Sequence, residues 1–229
     1  MMSVGNNFFY TKSLPCSLWF FDKGKPEALL DKVLFIDARN YYTVVDRMLN
    51  EWTEWQIKNL TAIVWLYRGE IEHYHQLLAD YHAALGSDAP FAEIQTDLEE
   101  QLARKRAEAK AVENAMRRDK KAVQAQYNGE ISALEDKLAV AKDAVWLYEK
   151  FGEGVYQDVA GLCKIESRDV ILHEKGASLT PGAYVGVAPV EDDGVDFKTR
   201  MAEIHRELLT LQEESNRLME TISKNLEEM

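Results

Sequence analysis

Apolar residues follow three different rhythms along this chain. Between Asn7 and Arg39 they form near-continuous runs, Phe8-Phe9, Trp19-Phe20-Phe21 and Leu34-Phe35-Ile36, divided by the turn Asp22-Lys23-Gly24-Lys25-Pro26. Unbroken runs suit strands buried on both faces of a sheet. Two strands are therefore predicted within residues 1–40, and two strands alone are marginal. From Tyr41 the rhythm becomes steps of three and four, through Val44, Val45, Met48, Leu49, Trp52 and Trp55 and on through Ile57, Leu60, Ile63, Val64 and Tyr67. That periodicity predicts a helical region over 41–90, interrupted at Gly69 and stopped before Gly86-Ser87-Asp88-Ala89-Pro90. Residues 91–151 hold no proline and a single glycine, Gly129, so a long helix or helical hairpin is predicted there. Ile131, Leu134, Leu138, Ala141, Val145 and Tyr148 give it a coiled-coil-like stripe, with a heptad slip just before, at Val123, Tyr127 and Ile131.

Residues 152–195 read as a compact linker. Gly152-Glu153-Gly154 stops the preceding helix, and short helices are predicted over 155–164 and 165–174. The run Leu179-Thr180-Pro181-Gly182-Ala183-Tyr184-Val185-Gly186 reads as a turn into a short extended piece, followed by a solvated acidic loop. The segment 196–229 is the cleanest periodic signal. Phe197, Met201, Ile204, Leu208, Leu211, Ser215, Leu218, Ile222 and Asn225 alternate steps of four and three, and seven of these nine positions are apolar. A helix exposing that stripe needs a partner helix, and Ser215 and Asn225 are suited to fixing its register. The fold class is thus mainly α: a two-strand sheet remnant followed by long helices, some coiled-coil-like.

Composition narrows the function classes. The 229 residues carry a net charge of −12, so the chain as a whole has no field that draws it to nucleic acid. The charge is uneven. Residues 103–121 hold eight basic against three acidic side chains, whereas 186–229 hold five against eleven. Arg104, Lys105, Arg106, Arg117, Arg118 and Lys121 are candidate phosphate contacts, weighed against a solvated helix face with pairs such as Glu113–Arg117. No apolar run approaches the roughly 20 residues of a membrane span. Cys16 and Cys163 lack metal-like spacing and fit a reducing cytoplasm. His73, His75 and His82 do not share a helix face and find no carboxylate to complete a metal set. Asp192, Asp193 and Asp196 lack the calcium-loop pattern.

Two blocks carry a resemblance. The first is Asn7-Phe8-Phe9-Tyr10-Thr11, Leu14-Pro15-Cys16-Ser17-Leu18-Trp19-Phe20-Phe21 and Val33-Leu34-Phe35-Ile36-Asp37-Ala38-Arg39. The second is Gly161-Leu162-Cys163-Lys164, the Thr180-Pro181-Gly182 turn with its flanks, and the terminal heptad helix. In this order they resemble the modification subunits of type I restriction-modification systems, which are N6-adenine DNA methyltransferases. The resemblance implies that the first block lies late in a catalytic domain, so that the chain is expected to be the C-terminal portion of a larger protein. It also implies that Phe9, with Phe8 as near alternative, stacks on the extruded adenine; the bland alternative for both is a core aromatic. The family's usual arginine after Pro-Gly is replaced here by Ala183.

The family's full-length members use S-adenosylmethionine. They hold it with a glycine-rich loop after a first strand, and they hold the base with Asn-Pro-Pro-aromatic. Neither motif is present: Pro15, Pro26, Pro90, Pro181 and Pro189 are never adjacent, and Gly152-Glu153-Gly154 follows a predicted helix. No cofactor site and no catalytic residue are expected in this chain, which is expected to be inactive alone. By the resemblance its partner is the specificity subunit, with DNA reached through that complex. Phe197, Met201, Ile204, Leu208, Leu211, Leu218 and Ile222 form the expected subunit interface. Two other readings stay open: a stand-alone helical interaction module, and one half of a split methyltransferase whose N-terminal half is a separate chain.

Overall fold

The computed structural model describes residues 1–9, 13–114, 120–188 and 197–227, apart from the side chains of 113–122, 197–199, 202–203, 213–214 and 220–227. The chain divides into two units, Met1–Ala188 and Pro189–Met229. It is mainly α, with a small sheet near its start and long helices after it. Among the described residues no helix is long and apolar enough to cross a membrane.

The sheet of the first unit has four strands rather than two. They are β1 (Met2–Val4), β2 (Cys16–Leu18), β3 (Lys32–Ala38) and β6 (Cys163–Ser167), in the order β2-β1-β3-β6. β1 runs parallel to β3, while β2 and β6 run antiparallel to their neighbours. β3 is the strand the apolar run predicts, and both its faces are buried. Leu34, Ile36 and Ala38 join the main core, and Phe35 points the other way, onto Tyr184, Ile171 and Val185. The Phe35 and Tyr184 rings lie stacked at 3.9 Å. The first apolar run behaves differently. Only Cys16–Leu18 is strand, and Trp19, Phe20 and Phe21 beyond it are exposed.

Two further differences concern helices. Residues 43–51, expected to be helical, form a hairpin of β4 (Thr43–Asp46) and β5 (Leu49–Glu51). The sequence Thr43-Val44-Val45-Asp46 is β-branched and ends in Asp46, whose side chain accepts from the Met48 amide at 2.7 Å in the turn. That local chemistry favours a turn over a helix. The segment 165–174 begins as β6, because Cys163 and Ile165 alternate with Lys164 and Glu166 along the edge of β3. A single π-helical turn follows at Val170–Glu174. No helix forms over 155–164.

Helix α1 (Glu54–Arg68) begins where Thr53 and Gln56 cap each other's backbone amides. It ends at Gly69, whose left-handed φ of 75° suits a residue without a Cβ. α2 (Ile71–Leu85) packs against it. α3 (Phe91–Asn114) and α4 (Lys120–Phe151) then form an antiparallel hairpin, with Lys142 facing Glu99 and Arg106 facing Glu135. Phe91, Ile94, Leu98 and Leu102 of α3 meet Leu138, Ala141, Ala144 and Leu147 of α4 in the core. The buried stripe of α4 runs through Ala144 and Leu147, one residue short of the expected Val145 and Tyr148. Tyr74, Tyr81, Phe35, Ile63 and Leu147 are fully buried, each contributing about 1.5–3 kcal/mol of transfer free energy. The predicted extended piece after Pro181 is instead one helical turn, α5 (Gly182–Val185).

The second unit carries one helix, α6 (Phe197–Glu227), as the heptad predicts. Along its seam Met201, Ile204, Leu208, Leu211 and Leu218 are exposed.

Candidate functional site

Parallel strands in open sheets present their binding groups beyond their carboxyl ends. In this chain that edge is where β1 and β3 stop, at Val4 and Ala38. Gly5 follows β1 directly and passes so close to β3 that a Cβ on it would stand 2.7 Å from the Arg39 carbonyl oxygen. Asn7 then adopts a left-handed φ of 62°, which Asn tolerates better than other residues with a side chain. The next two aromatics diverge. The Phe8 ring packs on Trp52 at 4.7 Å and edge-on to Tyr42 at 5.9 Å, while Phe9 is 49% exposed. Phe8 therefore holds the loop down, and Phe9 is half exposed beside it.

β5 supports this loop. The Asn50 backbone amide donates to the Asn7 carbonyl at 2.8 Å, and Asn50 Nδ2 donates to the Asn6 carbonyl at 2.9 Å. Trp52 is in turn fixed by its indole N–H, which donates to the Tyr41 carbonyl at 2.6 Å. Beside the loop, at the end of β3, Asp37 is nearly buried and binds the half-exposed Arg39 guanidinium through Nε at 2.8 Å and Nη2 at 2.6 Å. The same guanidinium lies against Gly182, the residue before Ala183; a Cβ on Gly182 would stand 2.9 Å from it. Arg39, ion-paired with Asp37, thus lies against the Pro181-Gly182 turn.

Tyr41 connects the edge to a buried polar cluster. The Asn59 side chain is fully buried; its Nδ2 donates to the Tyr41 hydroxyl and to the Asp143 carbonyl, both at 2.8 Å. Its Oδ1 accepts from the Tyr81 hydroxyl at 2.8 Å. The Tyr41 hydroxyl donates onward to Asp143 Oδ1 at 3.0 Å. Burial raises the Asp143 carboxyl above the ordinary carboxylate range, against the hydrogen bonds from Tyr41 and Thr53. Burial also pushes the Tyr41 and Tyr81 hydroxyls far up, with the Asp143 charge adding to it, so both stay protonated donors. Every polar atom of Asn59 is satisfied, and the cluster fastens α1, α2, α4 and the segment after β3 to one another. Sequence reasoning missed it. Its one signal is Asn59 itself, an amide one position before the apolar Leu60 on a face that also carries Ile63.

The other sequence candidates fall in separate places. Lys105 pairs with Glu130 at 2.8 Å and lies 5.5 Å over the Tyr127 ring, and Arg106 pairs with Glu135 at 2.7 Å. These two cations thus bridge α3 to α4, and Arg104 is exposed on the same helix. Arg117 and Arg118 lie outside the described residues, as do the side chains of Lys121, Phe197 and Ile222. His75 and His82 meet the backbone carbonyls of Glu153 and Ser87, at 2.9 and 2.8 Å. His73 lies against Trp65. Among the described residues no group of three or more His, Cys, Asp or Glu could hold a metal. Burial pushes the Cys163 thiol up to about 11, which leaves it an unreactive core residue. The pairing of Lys105 and Arg106 is directly testable. Replacing both with Glu should lower the melting temperature at low salt, and the deficit should shrink as salt screens the reversed pairs.

An apolar cleft of about 500 Å³ opens between the sheet and α1, lined by Met2, Leu18, Phe20, Leu34, Ile57 and Val64 among others. Asp22, Lys25 and Arg68 sit around it, with Arg68 ion-paired to both Asp22 and Glu70.

Two comparisons with known proteins bear on the class. Residues 1–88, the segment holding β1 to β5, α1 and α2, match the family model of N-6 DNA Methylase. The chain is also 26% identical, over 219 residues, to the type I restriction enzyme MjaIX methylase subunit of Methanocaldococcus jannaschii. That alignment covers 96% of this chain and 24% of the relative, so the chain spans about a quarter of the length of the relative it matches. Both findings support a relationship to N6 DNA methyltransferases. No solved structure matches the chain.

Proposed function

We propose that the chain is the part of a type I restriction-modification methylase subunit that completes the edge of the catalytic sheet and docks on the specificity subunit. It would act in the cytoplasm, within a complex that methylates adenine N6 in DNA. One observation carries this reading: the similarity to a type I methylase subunit runs through 96% of the chain, across both the sheet and the long helices. Within the complex, Phe9 stacks on the extruded adenine from the carboxyl edge of β1, where one ring is worth about 1–3 kcal/mol. The specificity subunit reads the DNA sequence and packs along the apolar seam of α6.

S-adenosylmethionine is bound elsewhere, because this sequence has neither the glycine-rich loop after a first strand nor the Asn-Pro-Pro motif. Calorimetry of the purified chain against S-adenosylmethionine should therefore show no binding heat. Micromolar affinity would overturn this part of the reading.

A second reading, that the chain is one half of a split methyltransferase, is favoured by the exposed aromatic run after β2. Trp19, Phe20 and Phe21 are exposed beside the apolar cleft. A contiguous apolar face of that kind marks an interaction surface, and a separate cofactor-binding half would cover it.

A further inference from the structure

We infer that the β4–β5 hairpin is a positioning device for Phe9, and that Asn50 is the residue through which it acts. The inference rests on the reading of Phe9 as the base-stacking ring. The hairpin contributes little to the core: all four residues of β4 are exposed, and Val44, Val45 and Met48 face solvent. A two-stranded ribbon of this size is marginal without packing of its own. Yet Asn50 is only 7% exposed, and both of its donors are directed at one dipeptide, Asn6-Asn7, more than forty residues earlier in the chain.

That dipeptide decides where Phe9 points. Asn7 sits in the left-handed region, and the turn it makes sends Phe8 inward and Phe9 outward. A left-handed Asn costs free energy unless its surroundings hold it there. Two restraints do so from the same strand end: the hydrogen bonds of Asn50 from one side, and the Trp52 ring against Phe8 from the other. Gly5 adds a third limit, since the chain before Asn6 runs too close to the Arg39 carbonyl to move toward β3. Among the described residues, the Asn50 side chain makes the side-chain hydrogen bond by which the hairpin holds the dipeptide that orients Phe9. A residue that acts this way touches neither base nor cofactor. It governs how often Phe9 is presented correctly, as preorganised loops do.

The test is a double-mutant cycle on the full 229-residue chain assembled with a type I specificity subunit. The probe is a single-stranded oligonucleotide carrying one 2-aminopurine, at low salt, with fluorescence quenching reporting stacking. Phe9→Ala should weaken the quenching interaction about tenfold. Asn50→Asp keeps the shape and the backbone amide but replaces the Nδ2 donor, and should weaken it about fivefold. In the Phe9→Ala background, Asn50→Asp should have no further effect. Asn50→Ser, too short to reach the Asn6 carbonyl, should repeat the result, with helical circular dichroism unchanged in each variant. Quenching by either Asn50 variant equal to wild type would overturn the inference. So would an equal loss in both backgrounds, because Asn50 would then act independently of Phe9. If Phe9→Ala itself leaves quenching unchanged, the base-stacking reading fails and takes the inference with it.

Discussion

Replacing Asn59 with Ala is expected to cost the Met1–Ala188 unit about 3–5 kcal/mol. The substitution leaves the buried Tyr81 hydroxyl without its partner, while the Asp143 carbonyl and the Tyr41 hydroxyl each lose one hydrogen bond and keep another, within α4 and to Asp143 Oδ1. The orphaned hydroxyl costs about 1–3 kcal/mol and each lost bond about 1 kcal/mol, and the vacated amide volume adds a cavity. Against a domain stability of about 5–15 kcal/mol that is a large fraction. Urea denaturation followed by far-ultraviolet circular dichroism should show a lower midpoint with an unchanged slope. A midpoint equal to wild type would mean that water or side-chain movement satisfies the cluster.

Asp143→Asn behaves differently, and pH separates the two variants. The folded state raises the Asp143 carboxyl above its unfolded value of 3.8, burial being the main cause. Between those two values the folded chain binds more protons than the unfolded one. The stability contributed by the protonated form is therefore fully present below 3.8 and is lost as pH rises through the raised folded value. Asparagine keeps an oxygen for the Tyr41 hydroxyl and carries no charge, so the variant should lack this decline. At neutral pH it should be at least as stable as wild type.

The second large effect concerns assembly. Replacing Leu208 and Leu211 of α6 with Asp should abolish co-purification with a type I specificity subunit. Both residues are exposed on a helix whose seam otherwise reads Met201, Ile204 and Leu218. A carboxylate forced into a packed seam must be desolvated without a partner, which costs several kcal/mol per charge. Two such changes exceed what a helical docking surface can absorb at about 1.4 kcal/mol per tenfold of affinity. Co-purification equal to wild type would remove α6 from the interface. The melting curve of the isolated double variant adds the control. An unchanged curve assigns the seam to a partner subunit, and a collapsed one assigns it to packing within the chain.

How much of this could be read from the sequence depends on the range of the interaction. β3 was legible because Leu34-Phe35-Ile36 is apolar on both faces, and α6 because nine positions keep one heptad. The two strands that complete the sheet were not. Met2–Val4 is too short to show a period, and Cys163–Ser167 pairs with β3 from more than a hundred residues away. The β4–β5 hairpin was hidden because Val44, Val45, Met48 and Leu49 also fit a helical spacing, and the Asp46 turn alone argued otherwise. In the candidate site, the first block named Phe9 first and Phe8 as its near alternative, but not which way either ring faces. Only the left-handed Asn7 and the Trp52 ring separate an inward anchor from an outward ring. Asn50 and the Asn59–Asp143 cluster act across sequence distances that local pattern does not register.

Assembly into a type I methylase complex through the helices, as proposed, is measurable by co-expressing the tagged chain with a type I specificity subunit, followed by size-exclusion chromatography with light scattering. One peak with the mass of a complex containing both chains is expected. Two separate peaks, with the tagged chain eluting at its own mass, would refute the proposal.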